Sequence, residues 1–187
     1  MLPLKSFYVM RHSESEANRA GYFSGQKNVA LTEQGIEQAI EARIAFNRLS
    51  PEPQIIIHSQ LSRAKDTARL ANENKNLKMI EDAGIAEHDF GDWVGQPWHE
   101  VKPLYYEQGV EPPNGETRLE FNTRIGQTMT TYLMQYDHPI FVCHGGVIRG
   151  VSEILNLSKP AVKNCAIFYF YPHEHHEDEW DFSVVYE

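Results

Sequence analysis

The sequence predicts an α/β fold, a three-layer α/β/α sandwich around a mostly parallel central sheet, and three observations carry that reading. Short apolar runs, Phe7-Tyr8-Val9-Met10, Ile55-Ile56-Ile57 and Ile140-Phe141-Val142-Cys143, are bounded by polar residues or proline, the signature of buried strands. Segments with apolar residues at helical spacing alternate with them. The chain has 187 residues, 41% of them hydrophobic, which is the size of one domain with a substantial core.

Along the chain, the first strand runs directly into Arg11-His12. Thr32 is placed to cap a helix in which Ile36, Ile40 and Ile44 recur every four residues. With Ala39 they form an apolar stripe, the face such a helix turns to a core, until Pro51 and Pro53 end it. After the second strand a helix is predicted from near Ser62 to Ala71, carrying Ala64, Ala68 and Ala71. The segment 92–115 is the least regular, with Pro97, Pro103, Pro112 and Pro113, and reads as a loop-rich insertion able to shape a pocket within a single domain spanning 1–187. A third helix follows from about Glu116, with Phe121, Ile125, Met129, Leu133 and Tyr136 facing inward. The third strand leads into His144-Gly145-Gly146 and a fourth helix led by Val147, Ile148 and Val151. The runs 166–171 and 182–186 complete the chain as a hairpin joined by the polar stretch 173–181.

Charge narrows the function classes. Seventeen basic and 26 acidic residues leave a net charge of -9, a field that repels nucleic-acid backbones and anionic membranes, so any anion must be gripped by a local basic cluster. No apolar run approaches the roughly 20 residues of a membrane span. The start lacks a basic region followed by a long apolar stretch, so no secretory signal is expected. Cys143 and Cys165 are too few for a disulfide framework or a four-cysteine zinc site, and a reduced, cytoplasmic protein is expected.

Three places after strands hold chemistry-bearing residues. Arg11-His12-Ser13-Glu14-Ser15 leaves the first strand at its carboxyl end, where α/β sheets bind ligands. A histidine nitrogen is a usable nucleophile near neutrality, and the arginine fork grips anions. Taken alone, such a pair is equally a surface salt bridge. His144-Gly145-Gly146 opens a helix with backbone amides that an anion can approach, although the same residues serve a tight strand-to-helix turn. Arg63 sits in the first turn of a helix, where a positive charge opposes the helix dipole unless it meets an anion. The three places belong to one edge of the predicted sheet, which raises their joint weight. His173, His175 and His176 lie among Glu174, Glu177, Asp178 and Glu179, but without ordered ligand spacing. No metal and no cofactor is expected. Cys143 beside His144 reads as buried packing, since neighbours in a strand point to opposite faces.

These residues fall into ordered blocks. Arg11-His12-Ser13-Glu14-Ser15-Glu16-Ala17-Asn18, Leu31-Thr32-Glu33-Gln34-Gly35 with Gln38-Ala39, and Ser59-Gln60-Leu61-Ser62-Arg63-Ala64-Lys65-Asp66-Thr67-Ala68 are followed by Glu87-His88-Asp89-Phe90-Gly91-Asp92-Trp93-Val94-Gly95, Asn114-Gly115-Glu116-Thr117 and Cys143-His144-Gly145-Gly146-Val147-Ile148-Arg149. In content and order the six blocks resemble the histidine phosphatase superfamily, the phosphoglycerate mutase-like family. Ser13 stands where the family pattern has glycine, Gln60 where it has proline, Asp66 where it has glutamine and Val94 where it has glutamate. No position assigned to chemistry is lost.

The resemblance implies a phosphoglycerate mutase-like fold and a metal-independent phosphoryl transfer in which His12 attacks phosphorus. Arg11, Arg63 and His144 would surround the phosphoryl oxygens. Asn18, the Ser24-Gly25 region and Gly145-Gly146 would complete the pocket, and Glu87 would act as acid and then as base. A glutamate acts as an acid near neutrality only where burial or a phosphate dianion favours its protonated form. Within the family the blocks look most like the α-ribazole phosphate phosphatases of cobalamin nucleotide-loop assembly. Trp93, Trp98, Tyr105 and Tyr106 are candidates to stack on a base, or to pack the insertion onto the core. The ligand implied is a small-molecule phosphate ester, with no nucleic acid and no membrane. A phosphoglycerate mutase and a non-catalytic phospho-ligand binding module are the alternatives.

Overall fold

The computed structural model describes residues 2–173 and 179–187. Strand β1 (Phe7–Arg11) alternates its side chains between two cores. Phe7 and Val9 enter one, Tyr8 and Met10 the other. Strands β2 (Ile56–His58), β3 (Met79–Glu81) and β4 (Ile140–Cys143) join it in parallel, and β5 (Ile167–Pro172) and β6 (Trp180–Tyr186) extend the sheet antiparallel. The strand order is β3-β2-β4-β1-β5-β6, so the chain passes from β1 over the later β4 to reach β2. That order sets the carboxyl ends of β1, β4 and β2 side by side, the place where α/β sheets present ligand-binding loops. The predicted mixed α/β sandwich is the observed architecture.

Helices cover both faces. On one, α5 (Arg118–Leu133) and α6 (Gly145–Ile154) turn Phe121, Ile125, Met129, Leu133, Val147, Ile148 and Val151 into the core, and Cys143 packs there too. Helix α5 starts two residues later than expected because Thr117 caps it, its hydroxyl accepting from the Glu120 amide while Glu120 reaches back. On the other face lie α2 (Glu33–Asn47) and α3 (Ser62–Asn72).

Helix α2 corrects one expectation. Its cap is Thr32, as read from sequence, but Ile36, Ile40 and Ile44 point outward, at 42%, 44% and 62% exposure. The face that docks carries Gly35, Ala39, Ala42 and Phe46. Small residues here meet Ala68 and Ala71 of α3, so the two helices approach closely and Phe46 alone reaches deep into the core. The isoleucine row, about one residue's rotation away, is left facing solvent.

Two elements were not foreseen: β3 and the five-residue α1 (Glu16–Ala20). The irregular segment contains a short helix α4 (Trp98–Lys102) continued by a π-helical turn, Pro103–Glu107. Phe23, Phe90, Trp93, Val101 and Tyr105 pack it as a separate small core beside the sheet's carboxyl edge. Of the histidine-rich stretch, His173 follows β5, and His175 and His176 lie outside the described residues. No helix among the described residues is long and apolar enough to cross a membrane.

Candidate active site

The ends of β1 and β4 are tied together where the backbone amide of His12 donates to the Cys143 carbonyl at 2.9 Å. The loop after β2 joins them through the Ser59 amide, which donates to the Val142 carbonyl at 3.1 Å. The three places singled out in the sequence therefore meet at one point. A cavity of about 300 Å³ opens there, and its wall includes Arg11, His12, Asn18, Ser24, Gly25, Arg63, Glu87, Gly145 and Gly146. His144 is not in that wall but stands fully buried beside His12, their ring centroids 5.2 Å apart.

His12 is buried, and its Nδ1 lies 2.7 Å from the Ser13 carbonyl oxygen. A carbonyl only accepts, so the ring donates from Nδ1 and neutral His12 holds its lone pair on Nε2. Burial pushes the imidazole well below its usual pKa, and the charges of Arg63 and Arg11 add to that. The ring is thus kept unprotonated among cations, the condition a nitrogen nucleophile needs.

Arg63 is 1% exposed. Its Nη1 and Nη2 donate to the carbonyls of Lys27 at 2.9 Å and Gly25 at 2.8 Å, which fixes the 24–27 loop against the site. Gly25 has φ +50, and a side chain there would press on Val94. Burial lowers the Arg63 pKa to about 10, against the attraction of Glu87, so it stays charged at neutral pH. Arg11 donates from Nη1 to the Val162 carbonyl at 2.8 Å, while its buried Nε has no partner. A buried guanidinium nitrogen without an acceptor beside a cavity is a donor waiting for an anion.

Glu87 is held by backbone amides at both oxygens: Oε1 accepts from His88 at 2.9 Å and Oε2 from Gly146 at 3.2 Å. A Cβ at residue 146 would collide with that carboxylate, so the second glycine of the His144-Gly145-Gly146 turn makes the room for it. His144 Nε2 lies 2.9 Å from the Ser59 hydroxyl, which is also acceptor to the Leu61 amide and donor to Gln60. The hydroxyl's one proton is then committed, so His144 donates and its Nδ1 is the buried atom without a partner. Burial lowers the His144 pKa well below the usual value, followed by the charges of Arg63, His12 and Arg11.

Asn18 closes the α1 capping box, its Oδ1 accepting from the Ser15 amide at 3.2 Å and from Asn164 Nδ2 at 3.0 Å. The acceptor end of the amide is thereby used, and the NH2 end is left for a ligand oxygen. Two rings, two arginines and a carboxylate on opposite amides make a site suited to moving a phosphoryl group, which needs positioning and charge stabilisation more than covalent elaboration.

A model of the histidine phosphatase superfamily, branch 1, matches residues 7–180. The chain belongs to that superfamily. This histidine phosphatase is 31% identical over 152 residues to the adenosylcobalamin/alpha-ribazole phosphatase of Salmonella typhimurium, covering 75% of this chain and 74% of that protein. It is 27% identical over 167 residues to the 2,3-bisphosphoglycerate-dependent phosphoglycerate mutase of Parvibaculum lavamentivorans, covering 81% and 79%. The alpha-ribazole phosphatase structure from Shigella flexneri shares the fold, with TM-score 0.78 and 22% identity over 96% of this chain and 95% of that one.

The histidine phosphatase site also contains residues that the sequence reading did not single out. Asn164, besides holding Asn18, donates to the His12 carbonyl at 3.2 Å. Its position in a loop before β5 carries no local signal. His88 is buried behind Glu87, with Nε2 2.6 Å from the Glu116 carbonyl and Nδ1 2.8 Å from the Tyr105 hydroxyl. It anchors the backbone that presents the Glu87 carboxylate. Arg149 and Lys102 line the cavity as well. Ser13, in place of the family's glycine, is accommodated because its hydroxyl lies 3.0 Å from that of Thr67 in a fully buried contact. Of the four aromatic residues proposed for stacking, Trp98 and Tyr106 line the cavity, whereas Trp93 and Tyr105 pack in the small core.

Proposed function

We propose that this histidine phosphatase is a phosphomonoesterase that hydrolyses a small-molecule phosphate ester through a phosphohistidine at His12. The observation that supports this most is the neutral His12 ring, tied at Nδ1 to Ser13 and flanked by Arg11 and Arg63, in one cavity with the Glu87 carboxyl group. In the first half-reaction Nε2 attacks phosphorus, the ester oxygen departs with a proton from Glu87, and the guanidinium groups neutralise the charge on the transferred group. In the second, Glu87 takes a proton from water, the resulting hydroxide attacks the phosphohistidine, and His12 and inorganic phosphate are regenerated. Neither half calls for a metal ion. His144 supports the arrangement from beside the ring, and Asn18, Ser24, Gly25 and the Gly145–Gly146 backbone line the phosphate's side of the cavity.

Sequence likeness nominates two esters. α-Ribazole 5′-phosphate, within cobalamin assembly, follows from the relative named for that activity, and 3-phosphoglycerate from the relatives named as mutases. We take the setting to be cytoplasmic, in keeping with two buried free thiols. The test is phosphate release, with chelator present, from a panel holding α-ribazole 5′-phosphate, 3-phosphoglycerate and sugar phosphates, for the wild type and His12→Ala. Release that survives the chelator and is lost in the variant supports the reading. Isomerisation of 3-phosphoglycerate dependent on a bisphosphate primer, without net release, would establish the mutase instead.

A further inference from the structure

Beyond the phosphoryl pocket the same cavity carries two more cations, Arg149 and Lys102. Arg149 is one turn along α6 from Gly145, and its Nη1 donates to the Gly145 carbonyl at 3.3 Å. A Cβ on Gly145 would lie 3.3 Å from that nitrogen and 3.6 Å from Arg11 Nε, so the two guanidinium groups flank one point of the cavity floor. The Arg149 guanidinium lies over Tyr106 at 5.3 Å, and Lys102 Nζ over Trp98 at 4.3 Å. Neither Arg149 nor Lys102 nor Arg11 belongs to an ion pair formed by the described residues. Three mutually repelling cations thus run from the phosphoryl pocket outward along the wall built by α4, past Glu87, on the side where the leaving group must lie.

Surface lysines and arginines are ordinarily dispersed into water or paired with carboxylates, because like charges held together cost free energy. Here the two acidic side chains of the cavity are committed elsewhere. Glu14 accepts from the Thr32 hydroxyl at 2.8 Å, and Glu87 rests on its two backbone amides. The anion that completes Arg149 and Lys102 therefore has to arrive with the ligand.

We infer that the leaving group of the substrate carries a second anionic group, a carboxylate or a second phosphate, held by Arg149 and Lys102 while the scissile phosphate sits against Arg11, Arg63 and His12. This rests on the phosphatase reading for the identity of the phosphoryl pocket. It ranks doubly anionic esters of the 3-phosphoglycerate kind above α-ribazole 5′-phosphate, whose alcohol carries no such group.

Matched pairs test it: 3-phosphoglycerate against glycerol 3-phosphate for a carboxylate, and fructose 1,6-bisphosphate against fructose 6-phosphate for a phosphate. The wild type is expected to favour the doubly anionic member of at least one pair by about tenfold or more in kcat/KM, the size of a charged hydrogen bond. Which pair shows it identifies the second group. Lys102→Met, at an exposed position that leaves folding untouched, is expected to reduce the preference by about threefold, as one solvated charge does. Lys102→Met with Arg149→Met removes it by weakening only the doubly anionic ester. The same pairs are titrated calorimetrically onto His12→Ala, where no turnover is needed. Equal kcat/KM and equal Kd within each pair, or a preference unchanged in the double variant, overturns the inference. A binding preference without turnover of any ester by the wild type leaves this inference standing and retires the phosphatase reading.

Discussion

The Glu87 carboxylate sits on the amide of Gly146, Oε2 3.2 Å from the nitrogen, in space that any side chain at residue 146 would occupy. Two links of the chain meet there. The glycine is required by the strand-to-helix turn after β4, and its missing side chain is what lets a carboxyl group from a distant loop reach the mouth of the phosphoryl pocket.

Gly146→Ala therefore separates stability from chemistry. The obstructed atoms are the far end of a flexible side chain, and alanine is the better helix former by about 1 kcal/mol, so the melting temperature is expected to hold or rise. With Glu87 displaced, kcat is expected to fall by about 10²-fold or more, the usual worth of a positioned acid–base group. Thermal melts beside steady-state kinetics check both.

Arg63 is built for two tasks, and lysine can perform neither fully. Arg63→Lys removes the fork that holds the Gly25 and Lys27 carbonyls, and one ammonium cannot also present a planar pair of donors to a phosphate. A loss of kcat/KM of about 10²-fold or more is expected, together with faster amide exchange in residues 24–27. Exchange rates in that loop equal to those of the wild type would contradict the holding role.

Acid should destabilise this protein through its buried histidines. Burial, followed by the neighbouring arginines, depresses both His12 and His144 in the fold, whereas the unfolded chain takes up these protons near the ordinary value of about 6.5. Below that pH the unfolded state binds more protons than the native state, so stability falls as pH falls. The contribution is whole above about 6.5 and is lost progressively from there toward the folded values. Urea melts at pH 7.5 and pH 5.5 should show the decline, and His12→Gln should make it shallower.

Helix α2 offers a packing test of the same kind. Ile44, at 62% exposure, can be replaced by glutamine within about 0.5 kcal/mol, while Phe46→Ala should cost about 3–5 kcal/mol. Denaturant unfolding of the two variants decides which face of the helix is docked.

That helix also shows where sequence reading runs out. The strands β1, β2 and β4 were legible because each is a bounded apolar run, and the caps Thr32 and Thr117 act through local hydrogen bonds. The inward face of α2 was not legible. Three isoleucines outweigh two alanines on any hydrophobicity count, yet close helix approach selects the small residues and leaves the larger row outside. In the site, His12, Arg11, Arg63 and Glu87 could be placed because each follows a strand or falls in a recognisable block. Asn164 and His88 could not, since they act by holding other residues from across the fold, 152 residues away for Asn164 and His12. Strand β3 has three residues, too few to show a period.

The central claim is the phosphohistidine. Rapid quenching of the wild type with a phosphorus-labelled ester, followed by peptide mapping, is expected to find the label on the peptide holding His12. The label should be stable to base, released by acid and absent in His12→Ala. Turnover that proceeds with no label on any histidine, or that persists in His12→Ala, would contradict the account.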